Sequence, residues 1–145
     1  MIILNRRMMR ILKREQGSPR LARKLADLLA EGIMEKEQCF FLRRFYASNP
    51  HITPSLFEDK TAYECFLNSI HIEDFCRQNI VSNALLFVSR IEKALQKAGC
   101  RYEIILSVKQ QSCVFTFHSF HESEVDWIDL SKIEDMDCGI AVFRL

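Results

Sequence analysis

The segment from Asn79 to Gly99 constrains the fold of this chain more than any other. In "NIVSNALLFVSRIEKALQKAG" six apolar residues fall on one face of a helix, namely Ile80, Ala84, Phe87, Val88, Ile91 and Leu95. Gly99 stands where helices commonly end in a glycine. Two segments with alternating apolar residues follow, "RYEIILSVKQ" and "SCVFTFHSF", with a polar turn between them. The sequence therefore predicts a long helix followed by two strands.

The patterns before this helix differ from those after it. We predict early helices in "ILNRRMMRILKREQ", in "SPRLARKLADLLAEGI" and in "EKEQCFFLRRFYAS". The second has Ser18 as N-cap, Pro19 at its first helical position and Gly32 at its end. "TAYECFLNSIHIEDF" is interpreted as a half-buried strand with an irregularity near Asn68 and Ser69.

After the two strands, "DLSKIEDM" predicts a short helical turn capped by Asp129 or Ser131, and "CGIAVFRL" predicts a last strand. With helices gathered early and strands late, the sequence predicts an α+β fold. In this fold the N-terminal helices and one long central helix pack on an antiparallel sheet of about four to five strands. A length of 145 residues fits a single domain, 1–145.

Composition narrows the class of protein. Hydrophobic residues make up 48% and charged residues 27% of the chain, as in ordinary folded proteins. No apolar run approaches the roughly 20 residues that span a bilayer, and the first residues lack the pattern of a secretory signal. We therefore expect a cytoplasmic protein. The six cysteines form no C-x-x-C pair, which favours reduced, buried thiols over a zinc ribbon or a redox motif.

Charge is distributed unevenly although the net charge is only +1. Residues 1–25 contain eight basic residues against Glu15, and residues 121–137 contain seven acids against Lys132. Trp127, the only tryptophan, lies inside the acidic run. An aromatic anchor among carboxylates is typical of a surface that binds a cationic partner. A solvated face with Trp127 in the core remains the alternative.

Neither a metal site nor a catalytic site is predicted. His118 and His121 are three apart, and on a strand such residues point to opposite faces. His71 beside Glu73 and Asp74 is a catalytic candidate in name only, because none of the common catalytic or phosphate-binding motifs is present. We therefore expect a nonenzymatic protein without a cofactor.

The basic N-terminal stretch offers a second interpretation. It could neutralise the phosphates of a nucleic acid, in a nucleic-acid-associated or regulatory module. However, its basic residues alternate with leucines that must face a core, and no stacking aromatic lies among them. A solvated helix face explains the stretch equally well.

Two segments resemble those of a known protein family. "FEDKTAYECFLNSIHIEDF" and "FTFHSFHESEVDWIDLSKIEDMDCGIAVF" are similar to segments of small bacterial immunity proteins from contact-dependent growth inhibition and related polymorphic toxin systems. The second shows a strand ending in His, a charged turn with Glu, a Trp, a short acidic turn and a last strand. Together the two segments cover about a third of the chain.

This resemblance implies a cytoplasmic protein, a monomer or weak dimer, that binds and blocks the toxin of its own system without chemistry. A nuclease is the expected toxin, with a ribonuclease favoured, and no membrane or direct nucleic-acid contact is expected. Carboxylates would then occupy the cationic surface that holds phosphates. The expected toxin-binding residues are Glu122, Glu124, Asp126, Trp127, Asp129, Glu134 and Asp135, with Glu73 and Asp74 extending the surface if their strand lies beside it.

Overall fold

A computed structural model describes residues 1–17 and 20–145. Seven strands lie in these residues: β1 (Ile2–Leu4), β2 (Ile33–Lys36), β3 (Cys39–Leu42), β4 (Ile70–His71), β5 (Tyr102–Lys109), β6 (Ser112–Ser119) and β7 (Gly139–Arg144). Five α-helices accompany them: α1 (Arg6–Lys13), α2 (Arg23–Glu31), α3 (Arg43–Ser48), α4 (Lys60–Leu67) and α5 (Ile80–Lys97). Short 3-10 helices occupy Pro54–Leu56, Ile72–Asp74 and Leu130–Asp135.

Five of the strands form one antiparallel sheet in the order β1-β7-β5-β6-β4, and β2 and β3 form a separate hairpin. One face of the sheet packs against α1, α2 and α5 to form the main core. Alternate residues of β5 and β6 point into this core, and the ring centroids of Phe87 and Phe115 are 4.9 Å apart. The predicted α+β fold, with a long central helix on an antiparallel sheet, is confirmed.

The segment 120–138, which we call the connection, covers the other face of the sheet. It joins β6 to β7. Strand β5 lies between these two strands in the sheet and runs antiparallel to both of them. The chain must therefore return along the sheet from the end of β6 to the start of β7. Ile128 and Ile133 of the connection bury their side chains against Ile105, Ile140 and Val142 of the sheet.

Asn5 ties α1 to the far end of the connection. Its side chain is buried, caps α1 by accepting from Met8 N, and also accepts from Ile140 N, both at 2.9 Å. Its amide group donates to the carbonyl oxygens of Ile133 and Cys138, also at 2.9 Å. All the hydrogen-bonding capacity of this buried amide is therefore used, as burial requires.

Gly139 begins β7 where α1 approaches most closely. A Cβ at this position would lie 2.7 Å from Ile11 Cδ1 and 3.2 Å from Met8 Cα. Glycine is needed here because of this close packing.

The third predicted helix, over "EKEQCFFLRRFYAS", is wrong in its first half. Residues 33–42 form the β2–β3 hairpin, with Lys36 opposite Cys39, and only α3 is helical. The two turn residues, Glu37 and Gln38, both have positive φ, at 52° and 70°. Two-residue hairpin loops use this geometry, usually with Asn or Gly. Neither Asn nor Gly occurs at this turn, so local composition does not indicate it.

The strand predicted over "TAYECFLNSIHIEDF" is also wrong over most of its length. Residues 60–67 form α4, and only Ile70–His71 pair with β6. Asp59 caps α4 by accepting from Ala62 N at 2.8 Å. The helix is buried on several sides, so its apolar residues do not fall on a single stripe.

The other predicted boundaries differ less from those in the structure. The first predicted helix begins with a strand, β1, because residues 2–4 pair with β7. The predicted N-cap Ser18 and the predicted first helical residue Pro19 lie outside the described residues, and α2 begins only at Arg23. The predicted glycines do end their helices, Gly32 after α2 and Gly99 after α5, both with positive φ. No helix among the described residues is long and apolar enough to cross a membrane.

Candidate functional site

The outer surface of the connection carries the aromatic residue singled out in the sequence. Trp127 is 49% exposed and Val125 is 81% exposed, whereas the following Ile128 is buried. Ile128 therefore anchors this part of the connection to the sheet, and the indole stays at the surface. The alternative in which Trp127 lies in the core is excluded by its exposure.

Three acids of the connection are exposed without a side-chain partner in the described residues. They are Glu122, Asp126 and Asp135. We give the name acidic surface to these three acids together with Trp127 and Val125, which are distributed along the connection, with Glu122 near its start and Asp135 near its end. Their carboxylates are free to meet a cation, because no ion pair within the described chain neutralises them.

The other predicted acids of the connection have structural roles. Glu124 accepts hydrogen bonds from the N–H groups of Lys60 and Thr61, at 3.3 and 2.8 Å, and so holds the start of α4. Burial would raise the pKa of Glu124, but a hydrogen bond from the Thr61 hydroxyl, together with these backbone bonds, holds it below its usual range. Asp129 caps the 3-10 helix by accepting from Ser131 N, as predicted.

Glu134 accepts from the N–H of Arg6 at 3.0 Å, at the start of α1. The far end of the connection is thereby fixed to α1 on the side where Asn5 also binds it. Asp137 beyond it forms an ion pair with Lys109 at 2.6 Å. Of the seven acids in residues 121–137, four therefore fix the connection and three remain free.

Glu73 and Asp74 lie away from the start of the connection, where Glu122 is located. Glu73 accepts from the N–H of Cys113 at the start of β6, whereas the connection leaves β6 after Ser119. These two ends are separated by about 23 Å at about 3.3 Å per residue. The surface containing Glu73 does not extend that of Glu122, because β4 pairs with the first half of β6 only. His71 and Glu73 form an exposed pair at 3.0 Å.

A buried carboxylate, Glu64 of α4, lies at the base of the connection. One of its oxygens, Oε2, accepts from Phe40 N at 2.8 Å and from Ser119 Oγ at 2.6 Å. The other oxygen, Oε1, is 2.5 Å from Nε2 of His121. Burial raises the pKa of the Glu64 carboxyl, and these hydrogen bonds offset only part of the increase. Glu64 thus joins the hairpin, α4, β6 and the start of the connection.

Cys39 completes a group of three potential metal ligands with Glu64 and His121. One ligand atom from each lies within 4.8 Å of the others. Burial, with a contribution from Glu64, raises the pKa of the Cys39 thiol to about 12. The thiol is therefore protonated at neutral pH and is unsuited to act as a free nucleophile.

Sequence reasoning missed Cys39 and Glu64, and it considered His121 only together with His118, for which it predicted no metal site. A signal for Glu64 existed in "YECFL", where a single charge interrupts an apolar run. The neighbours of a buried carboxylate must supply hydrogen bonds or a cation. Those neighbours come from distant parts of the chain, so the group could not be assembled from spacing.

His118 belongs to a second buried network, on the connection side of β5 and β6. Its Nε2 is 3.1 Å from Oε1 of Glu103, and Nδ1 is 2.8 Å from the carbonyl of Ser119. Arg144 donates to the other oxygen of Glu103. Burial disfavours the imidazolium, but the hydrogen bonds to Glu103 and Ser119 prevail and raise the pKa of His118. These contacts make His118 a structural residue.

Basic residues of α1 and its C-cap, Arg14, line a groove beside Asp137 and Cys138 at the end of the connection. Arg7, Arg10 and Arg14 face Lys109 across a groove of about 440 Å³. Arg7 donates to the carbonyl of Met136, and Lys109 pairs with Asp137. Arg10 and Arg14 have no side-chain partner in the described residues. This groove is the feature that the nucleic-acid interpretation requires.

Comparison with known proteins identifies the family of this chain but assigns no function to it. The model of the Uncharacterized protein PM0498 family matches residues 3–144, so the chain belongs to that family. No curated protein and no solved structure matches the chain.

Proposed function

We propose that this member of the PM0498 family is an immunity-type inhibitor, which binds a cationic toxin domain through the acidic surface. The observation that carries the proposal is the exposure of Trp127 amid unpaired carboxylates on one connection. Resemblance of the connection to those of bacterial immunity proteins supports the same function. A nuclease, with a ribonuclease favoured, is the toxin whose surface matches this chemistry, because its active site holds phosphates with Lys, Arg and His.

The two kinds of residue in the acidic surface have different roles in binding. Trp127 supplies a large contact area and loses little conformational entropy on binding. Tryptophan is accordingly enriched among residues that dominate binding energy. Glu122, Asp126 and Asp135 steer the encounter and fix its orientation. Because the connection is held at both ends, by Glu124 on α4 and by Asn5 on α1, little ordering is required when the partner binds.

Inhibition in this account is steric and electrostatic. The protein acts in the cytoplasm as a monomer or weak dimer and needs neither a catalytic residue nor a cofactor. A carboxylate near each phosphate subsite of the toxin would exclude the nucleic acid backbone by occupying its cationic partners.

Co-expression tests the proposal directly. We expect a toxin domain to be encoded next to the gene for this chain, and this domain is induced in a bacterial host with or without the chain. We expect growth to be rescued and the two proteins to co-purify. Absence of both rescue and a complex, with the chain present and folded, would refute the function.

A matched pair of variants tests whether association depends on the acidic surface or on the net charge of the whole protein. Asp126→Asn removes one unpaired acid of the connection, and Asp27→Asn removes an exposed acid of α2 outside it. We expect Asp126→Asn to slow association and Asp27→Asn to leave it unchanged. Equal effects of the two variants would show that net charge, and not this surface, controls binding.

The groove of α1 favours a second candidate, a nucleic-acid-associated module. Its unpaired Arg10 and Arg14 could contact phosphates. Binding of a labelled RNA or DNA that weakens steeply with salt, and that is lost in Arg10→Gln with Arg14→Gln, would favour this function. If the same variant rescues growth normally from the toxin, the groove is not needed for inhibition.

A further inference from the structure

We propose that Cys39, Glu64 and His121 form a binding site for a zinc ion at the base of the connection. The three side chains come from β3, from α4 and from the residues after β6, and their ligand atoms lie within 4.8 Å of one another. A thiolate, a carboxylate and an imidazole together form a ligand set suited to Zn²⁺.

The distances require only small side-chain movements. With Zn–S of about 2.3 Å and Zn–N and Zn–O of about 2.0–2.2 Å, tetrahedral ligand atoms lie about 3.4–3.6 Å apart. His121 Nε2 and Glu64 Oε1, now 2.5 Å apart, would separate by about 1 Å to admit the ion. Any pair near the 4.8 Å limit would close by a little over about 1 Å.

Glu64 is already oriented as a ligand. Its Oε2 is held by Phe40 N and by the hydroxyl of Ser119, whereas Oε1 contacts only His121 and, at 3.3 Å, the N–H of Ser119. Carboxylate ligands of metals are commonly fixed in this manner by hydrogen bonds to the other oxygen. The hydrogen bonds that hold Oε2 can therefore remain when Oε1 turns to the ion.

An ion could reach this site from solvent. A cavity of about 490 Å³ is lined by Gln38, Ser119 and His121 and opens to the surface. His121 is the proposed ligand that lines this cavity, and three protein ligands leave one tetrahedral position for a water.

The charges balance when the ion is bound. Zn²⁺ displaces the proton of the Cys39 thiol, and Glu64 binds the ion as a carboxylate. One thiolate and one carboxylate then neutralise the two positive charges, and the buried site has no net charge. The ion would also join the hairpin, α4 and the first residues of the connection.

Cobalt and zinc titrations of the full chain test this site. The purified chain is stripped with a chelator, and Co²⁺ is added alone. We expect one Co²⁺ per chain, a thiolate-to-cobalt charge-transfer absorption that zinc abolishes by displacement, and a rise in the unfolding temperature with Zn²⁺. No saturable binding at one equivalent would overturn the proposal.

Variants locate the ion within the molecule. Cys39→Ser should abolish the charge-transfer absorption. His121→Gln should weaken Co²⁺ binding at least about 100-fold, since residues that merely orient a ligand already contribute 10–100-fold. Cys113→Ser, a buried cysteine elsewhere, and His71→Gln, an exposed histidine, should bind like the original chain. Unchanged absorption in Cys39→Ser, with its circular dichroism spectrum retained, would overturn the assignment.

Discussion

Replacement of Glu64 by alanine should destabilise the protein strongly. The side chain is wholly buried and accepts hydrogen bonds from Phe40 N, from the N–H and hydroxyl of Ser119, and from His121. Its removal leaves these donors facing a cavity, although it also relieves the desolvation of one carboxylate. Loss of one partner from a buried, hydrogen-bonded pair costs about 3–5 kcal/mol. That is a large part of a total free energy of unfolding of about 5–15 kcal/mol.

Urea unfolding, followed by circular dichroism in the presence of a chelator, measures this loss. If the free energy of unfolding decreases by about 2 kcal/mol per molar urea, the urea concentration at the unfolding midpoint should fall by about 1.5–2.5 M. Glu58→Ala is the control, because Glu58 is exposed shortly before α4, and surface changes of this kind stay within about 0.5 kcal/mol. A loss below about 1 kcal/mol for Glu64→Ala would refute the account of this carboxylate as a buried junction.

Three further predictions concern stability. Asn5→Ala should lower the free energy of unfolding by about 3–5 kcal/mol in urea titration, because four buried backbone groups lose their partner; a loss within 1 kcal/mol would contradict this. Gly139→Ala should cost about 1–3 kcal/mol because the new Cβ would lie 2.7 Å from Ile11 Cδ1 and 3.2 Å from Met8 Cα, and adding Ile11→Val should recover part of it; equal stability of Gly139→Ala and the original chain would argue against the close packing. The raised pKa of His118 gives stability below its ordinary value of 6.5 that is lost as pH rises through the folded pKa. Between pH 6 and pH 9 the thermal midpoint should therefore fall more in the original chain than in His118→Gln, and parallel profiles would refute the linkage.

The parts of the fold that the sequence predicted are those with regular local patterns. Helix α5 has an unbroken apolar face and a glycine at its end, and β5, β6 and β7 alternate or form short apolar runs. In these segments a local period suffices to specify the element.

Where prediction failed, distant residues determined the local structure. The start of α4 depends on Glu124, more than 60 residues later, and the β2–β3 turn places Glu37 and Gln38 in left-handed conformations that glycine or asparagine usually occupies. Neither effect leaves a trace in local periodicity.

The two candidate sites also differ in whether their residues are close together in the sequence. An exposed acidic run with its tryptophan is contiguous in sequence, so the acidic surface could be predicted from composition. The group of Cys39, Glu64 and His121 could not, because its members come from three elements and only the fold brings them together. The sequence could not decide whether Glu73 and Asp74 extend the surface, because this depends on β4, which is only two residues long and pairs with Phe115 and Val114 of β6.

The equilibrium constant for binding to the adjacent toxin domain tests the central claim most directly. We predict that Trp127→Ala weakens the complex at least about 30-fold, corresponding to about 2 kcal/mol for a residue that dominates an interface, while Asp27→Asn leaves the affinity unchanged. An affinity that is the same for Trp127→Ala as for the original chain would contradict the claim that the acidic surface binds the partner.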